Sequence, residues 1–192
     1  SGPGHRSGGG TARLETAVRA TAAPAGGVVA GDLYLVGGGD PLLTSPAYGD
    51  RMTRDPSLAI DPGRLADAIV DAGITRIDGS VVGDGSRYDG QRFHPSWPER
   101  FRAQEAGPIG ALTINDGRVG VDGATPPAGG VNADPAANAA TVVTELLRQR
   151  GVTVVGPPRA GAAPGGLTDV ATFPSATVIA PTSGSITLRV TV

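Results

Sequence analysis

Gly73-Ile74-Thr75-Arg76-Ile77-Asp78-Gly79 and Gly151-Val152-Thr153-Val154-Val155-Gly156 follow one pattern twice. In each, a glycine able to take positive φ stops a helix, and a β-branched strand follows with no intervening loop. Upstream of each lies a matching start. Asp61-Pro62 and Asp134-Pro135 pair a capping carboxylate with a proline at the first helical position, where the missing N–H costs no hydrogen bond. Between start and stop, Leu65, Ile69 and Val70 share one helical face, as do Ala139, Val142, Val143, Leu146 and Leu147. The reading is two related helix-strand units contributing to one sheet.

Outward from these units the chain is strand-rich. Residues 13–20 alternate, with Leu14, Thr16 and Val18 set against Glu15 and Arg19, and the run 28–36 carries valine, leucine and tyrosine after the Pro24-Ala25-Gly26-Gly27 turn. These two runs are expected to pair as a hairpin. A strand is expected over 76–82. Residues 111–121 read as strand, turn and strand about Asn115-Asp116-Gly117, because such a step supplies the positive φ of a tight hairpin. The stretch 157–166 reads as a loop, and late strands are expected near 168–179 and 185–192, without an assigned place in the sheet. The fold class is α+β: a strand-rich mixed sheet with two main helices.

Composition agrees. The 192 residues contain 39% hydrophobic and 18% charged side chains, enough for a globular core, and the 31 glycines and 17 prolines demand many turns. A net charge of -2 leaves no cationic footprint for nucleic acid or anionic lipid, and no apolar run is long enough to span a membrane. The absence of cysteine excludes thiolate zinc sites, thiol nucleophiles and disulfides. All 16 cationic side chains are arginine. The glycine-rich residues 1–12 read as a linker or tag-like terminus.

Few residues offer chemistry. His5 lies in the glycine-rich terminus, and His94, in Phe93-His94-Pro95-Ser96-Trp97-Pro98, is expected as a packed loop residue rather than the base of a Ser/His pair. With one usable histidine and no cysteine, no metal site or cofactor is expected. Gly37-Gly38-Gly39-Asp40-Pro41 lacks the Gly-Lys-Ser/Thr ending of a phosphate loop and reads as a turn with Asp40 as its cap. Thr44 and Ser45 have no base nearby in sequence. The densest polar segment runs from Asp78 to Gly90; in it Asp84 and Tyr88, four residues apart just after a buried strand, would hold an ammonium group if they face a shared cleft. The residues alone favour the alternative, that each Asp-Gly step is only a turn.

The run Gly31-Asp32-Leu33-Tyr34-Leu35-Val36-Gly37-Gly38-Gly39-Asp40-Pro41-Leu42-Leu43, then Gly73-Ile74, Asp78-Gly79-Ser80-Val81-Val82-Gly83-Asp84, Tyr88-Asp89-Gly90, Pro95-Ser96-Trp97-Pro98 and Asn115-Asp116-Gly117, resembles the S13 peptidases. These are class C, low-molecular-weight penicillin-binding proteins, the D-alanyl-D-alanine carboxypeptidases and endopeptidases of the bacterial envelope. The resemblance covers about residues 13–172. It implies an accessory (insertion) domain over 13–172, followed by C-terminal strands of uncertain origin over 173–192. The family's catalytic motifs are Ser-x-x-Lys, Ser-x-Asn and Lys-Thr-Gly. A chain without lysine holds neither the first nor the last, and none of its serines is followed two residues later by asparagine. No catalytic residue is therefore assigned. The resemblance implies that Asp84 and Tyr88 line an outer subsite for a meso-diaminopimelate side chain, the carboxylate meeting its ammonium and the ring its aliphatic stem. Implied partners are a peptidoglycan stem peptide, bound through the parent enzyme, and the missing catalytic domain; the implied location is the cell envelope, periplasmic or secreted. A stand-alone envelope module that binds stem peptides or a protein partner, and a purely structural domain, are the alternatives.

Overall fold

The computed structural model describes residues 11–51, 59–102, 107–120, 122, 134–179 and 187–189. Of the terminus read as a linker over 1–12, residues 1–10 lie outside them while Thr11 and Ala12 begin a strand; residues 52–58, 103–106, 121, 123–133, 180–186 and 190–192 also lie outside. A six-stranded mixed sheet dominates. Its elements are β1 (Thr11–Ala20), β3 (Leu33–Val36), β5 (Val81–Asp84), β7 (Arg159–Ala160), β8 (Thr168–Ile179) and β9 (Thr187–Arg189), in the order β7-β5-β3-β1-β8-β9. A second sheet of three parallel strands joins β2 (Val28–Val29), β4 (Arg76–Ile77) and β6 (Thr153–Val154) in the order β2-β4-β6. The fold is α+β with a mixed sheet, as the sequence indicates.

The two sheets are connected by one manoeuvre made three times. From β2 to β3, from β4 to β5 and from β6 to β7, the chain leaves the small sheet, turns a corner and enters the large one. Each corner holds a glycine, and the corners stack: Gly79 N–H donates to Gly31 C=O at 2.9 Å, and Gly156 N–H to Gly79 C=O at 2.8 Å. A Cβ on Gly79 would run into Asp32 and Gly31, and one on Gly156 into Ser80 and Gly79. Backbones this close leave no room for side chains.

These corners correct two expectations. The run 28–36 is two strands in different sheets, and only Leu33–Val36 pairs antiparallel with β1, Ala20 lying opposite Leu33. The expected strand over 76–82 is likewise broken at Asp78-Gly79. Propensity marks both halves as extended, but the turn between them is set by the neighbouring corner. The helix-strand units themselves are as read: β4 and β6 are adjacent and parallel, Ile77 opposite Val154. Parallel neighbours need a long crossover, which the helix supplies.

The principal helices are α2 (Pro62–Asp71) and α4 (Pro135–Gln149); α1 (Pro46–Arg51) and α3 (Glu99–Arg102) are shorter, of six and four residues. Asp61 Oδ1 accepts from Gly63 N–H at 2.7 Å, and Asp134 Oδ1 from Ala136 and Ala137 N–H at 2.9 and 3.4 Å. Caps of this kind stabilise by about 1 kcal/mol each. At the other ends Gly73 and Gly151 sit at φ 82° and 83°. Leu65, Ala66 and Ile69 of α2 meet Ala139, Val143 and Leu147 of α4 in one core with Val18, Leu33, Leu35 and Val81 of the sheet. Arg150 ties the helices together, its Nε 2.6 Å from Asp67 Oδ1 and its Nη2 donating to Gly63 C=O.

The expected hairpin over 111–121 is absent among the described residues. Asn115, Asp116 and Gly117 do take positive φ, at 54°, 53° and 76°, but in a short 3-10 turn. The reason is a competing partner: Gly39 N–H donates to Ala111 C=O, and Asn115 N–H to Leu43 C=O, so this segment lies along residues 39–45 instead of folding on itself. Tyr48, 2% exposed, sends its hydroxyl to Asp116 Oδ2 at 2.8 Å and locks the two loops. The stretch 157–166 contains β7 as well as loop. β8 runs unbroken from Thr168 to Ile179 and pairs with β1 along its length, Ala20 opposite Thr168 and Thr11 opposite Ile179.

Candidate functional site

Strands β3, β5 and β7 run parallel, and their carboxyl ends open beside the first turn of α4. The helix comes close because residue 83 is glycine: a Cβ there would collide with Ala136 C=O. An open cleft of about 350 Å³ results, lined by Asp84, Tyr88, Asp89, Arg92, Asp134 and residues 160–162. In open parallel sheets, ligands commonly bind at this position, outside the carboxyl ends of the strands.

Asp84 is the last residue of β5 and is 5% exposed. Its Oδ1 accepts from Ser86 N–H at 2.8 Å and its Oδ2 from Ala163 N–H at 2.9 Å. Burial pushes the carboxyl up, but the Ser86 hydroxyl and the backbone N–H groups of Ala163 and Ser86 act in the opposite sense and prevail, holding it below the ordinary value of 3.8. The carboxylate is thus an ionised clasp between the end of β5 and the loop after β7. Tyr88 follows one turn later, its N–H donating to Gly85 C=O, and its ring is 45% exposed. A Cβ on Gly39, at φ 96°, would collide with the Tyr88 hydroxyl, so the three-glycine loop forms the seat of that ring.

Asp84 and Tyr88 both line this cleft. Asp89 Oδ1 accepts from Gln91 N–H at 3.0 Å; the side chain is exposed. Arg92 is the one cation among the described lining residues, with a long contact of 3.4 Å from its Nη1 to Ile109 C=O. Sequence reasoning passed over Arg92, which stands just beyond the acidic segment, and over Ala163, whose partnership with Asp84 spans 79 residues and leaves no local signal.

The other candidates resolve differently. The glycine loop holds no phosphate cradle, since Gly37 and Gly39 N–H donate to Asp84 C=O and Ala111 C=O. Asp40 caps its turn as expected, Oδ1 accepting from Leu42 N–H at 2.9 Å. His94 is not packed: Phe93 fills the core position at 7% exposure, and His94 is exposed with its Nδ1 2.7 Å from Ser96 Oγ. In the Phe-His-Pro series the larger apolar ring takes the buried site. Thr44 and Ser45 are buried, and Ser45 N–H donates to Asn115 Oδ1 at 2.8 Å. Among the described residues no group of three or more acidic or histidine side chains is arranged to hold a metal ion, and no helix is long and apolar enough to cross a membrane.

The family model described as D-Ala-D-Ala carboxypeptidase 3 (S13) matches residues 9–162. The chain belongs to the S13 family. This S13 chain is also similar in fold to penicillin binding protein 4 (dacB) from Haemophilus influenzae, with a TM-score of 0.61 at 16% identity over 86% of the chain. The same Haemophilus protein complexed with a novel β-lactam matches at a TM-score of 0.46 and 14% identity, again over 86% of the chain. The chain spans 47% and 45% of those two structures, about half their length. No curated protein matches it.

Proposed function

We propose that this chain is the non-catalytic, substrate-framing portion of a serine-type D-alanyl-D-alanine carboxypeptidase/endopeptidase that remodels peptidoglycan in the cell envelope. The observation that carries this reading is an S13 match over residues 9–162 in a chain with no lysine. Acyl-serine chemistry of this class needs a serine with its lysine, and a lysine-containing strand motif. Both lie elsewhere in the parent, where the serine hydroxyl attacks the D-Ala-D-Ala carbonyl, D-alanine leaves, and water releases the acyl group.

The topology supports an inserted position. A domain inserted in another enters and leaves at neighbouring points. The domain expected over 13–172 begins in β1 and ends in β8, which lie side by side and antiparallel with Ala17 opposite Thr172. The cleft at Asp84 and Tyr88 is the candidate outer subsite for a diaminopimelate side chain, the exposed ring offering its face to the aliphatic stem. With the opposite wall of the cleft contributed by the catalytic domain, the isolated chain is expected to bind stem peptides weakly.

The test is to expose this chain and an active penicillin-binding protein to a fluorescent penicillin and to read both on a denaturing gel. The expected result is label on the enzyme alone. Covalent label on this chain would reveal a serine nucleophile and overturn the reading.

A further inference from the structure

The pass from β6 to β7, residues 153–160, is the last of the three that stack on one another, and it forms one edge of each sheet. The first pass is closed on its outer side: β3 pairs with β1, and Ala25 and Val28 exchange two backbone hydrogen bonds at 3.0 Å beside β2. No strand among the described residues lies beyond β6 or β7. Such an edge is a template for pairing with another chain. Thr153 and Val155 N–H donate inward to Thr75 and Ile77 C=O, so the N–H and C=O of Val154 between them face outward. Gly156 N–H donates to Gly79 C=O, and Pro157 and Pro158 have no N–H. Gly161 N–H donates inward to Gly83 C=O, so Ala160 is the next residue to turn a backbone donor outward.

The outward acceptor at Val154 is occupied. Arg148, exposed in the last turn of α4, donates from Nη2 to Val154 C=O at 3.2 Å. Beside that carbonyl Val155 is 56% exposed. We infer that Arg148 is an edge guard, an intramolecular contact that keeps β6 from pairing with β6 of a second copy of this chain. Two copies set antiparallel about Val154 would exchange its N–H and C=O reciprocally, as a two-fold interface requires, and would lay Val155 of each against Thr153 of the other. To do so they must displace both guanidinium groups from the carbonyls and hold two like charges at one contact. Pro157 and Pro158 extend the guard past the corner, where they remove the donors that a longer paired strand would use.

The experiment is sedimentation velocity of the chain and its variants over about a hundredfold range of concentration, with folding checked by circular dichroism. Arg148→Met keeps an unbranched stem and removes the charge and the donors, whereas Arg148→Lys keeps the charge and a donor. Arg64→Met removes an exposed charge from α2, away from β6. The native chain, Arg148→Lys and Arg64→Met are expected to sediment as monomers. Arg148→Met is expected to dimerise about tenfold or more tightly than the native chain, since each dimer gains two freed carbonyls at about one net hydrogen bond each. In that dimer the Val154 amide should exchange with solvent about tenfold or more slowly than in the native chain. A folded Arg148→Met that stays monomeric at every concentration would overturn the guard and leave Arg148 as a brace between α4 and β6. Equal association of Arg148→Lys or of Arg64→Met would also overturn it, as would a dimer in which Val154 exchange is unchanged.

Discussion

Replacing Asp84 by Asn separates the structural work of this carboxylate from any contact with a ligand. In the folded chain its oxygens accept from Ser86 N–H and Ala163 N–H at 2.8 and 2.9 Å in a site 5% exposed. Asparagine keeps one acceptor and turns the other into an NH₂ that faces a backbone donor. One charge-assisted bond is lost, and one buried N–H is left without an acceptor. Together these changes amount to about 2–4 kcal/mol. For a domain of this size the melting temperature should fall by roughly 4–16 °C. The pH dependence carries the sign. The folded pKa lies below the unfolded value of 3.8, so the carboxylate contributes stability that is fully present above that value and lost as pH falls through the folded pKa. The gap between native and variant chains, measured by urea titration followed by circular dichroism, should be constant near neutrality and close in acid. A variant as stable as the native chain at pH 7, or a gap that widens in acid, would refute the assignment of Asp84 as an ionised clasp.

Three further outcomes test other parts of the structure. Gly39→Ala puts a methyl against the Tyr88 hydroxyl at a backbone φ of 96°; a cost of about 1–3 kcal/mol and a displaced Tyr88 ring, seen in the aromatic NMR resonances, are expected. Gly27→Ala should destabilise more than Gly73→Ala in the same thermal melt, although their φ values are 81° and 82°: the new methyl meets Thr75 and Gly73 C=O at the first position and open space at the second. Tyr48→Phe removes the hydroxyl bonded to Asp116 Oδ2 and should cost about 1 kcal/mol in urea unfolding, with α2 and α4 unaffected in backbone NMR shifts.

Much of the local structure was legible residue by residue. Asp61-Pro62 and Asp134-Pro135 begin helices and Gly73 and Gly151 end them, because capping and proline geometry act within a single turn and do not depend on what lies across the core. The helix-strand units and the class of the fold follow from the same short-range physics, and the absence of lysine is a matter of composition alone. Tertiary structure decided the rest. Whether Val28–Val29 continues into Leu33–Val36 or changes sheet depends on the Gly31, Gly79 and Gly156 corners packing on one another, across more than a hundred residues of chain. Whether residues 111–120 pair with themselves or with residues 39–45 was a competition that turn propensity could not judge. Which carboxylate already has its acceptors engaged depends on Ala163 arriving at Asp84, and which side chains face the same solvent depends on α4 descending onto Gly83. Hydrogen-bond partners far apart along the chain are chosen by the packed whole, and the Ala163 N–H that meets the Asp84 carboxylate is such a choice.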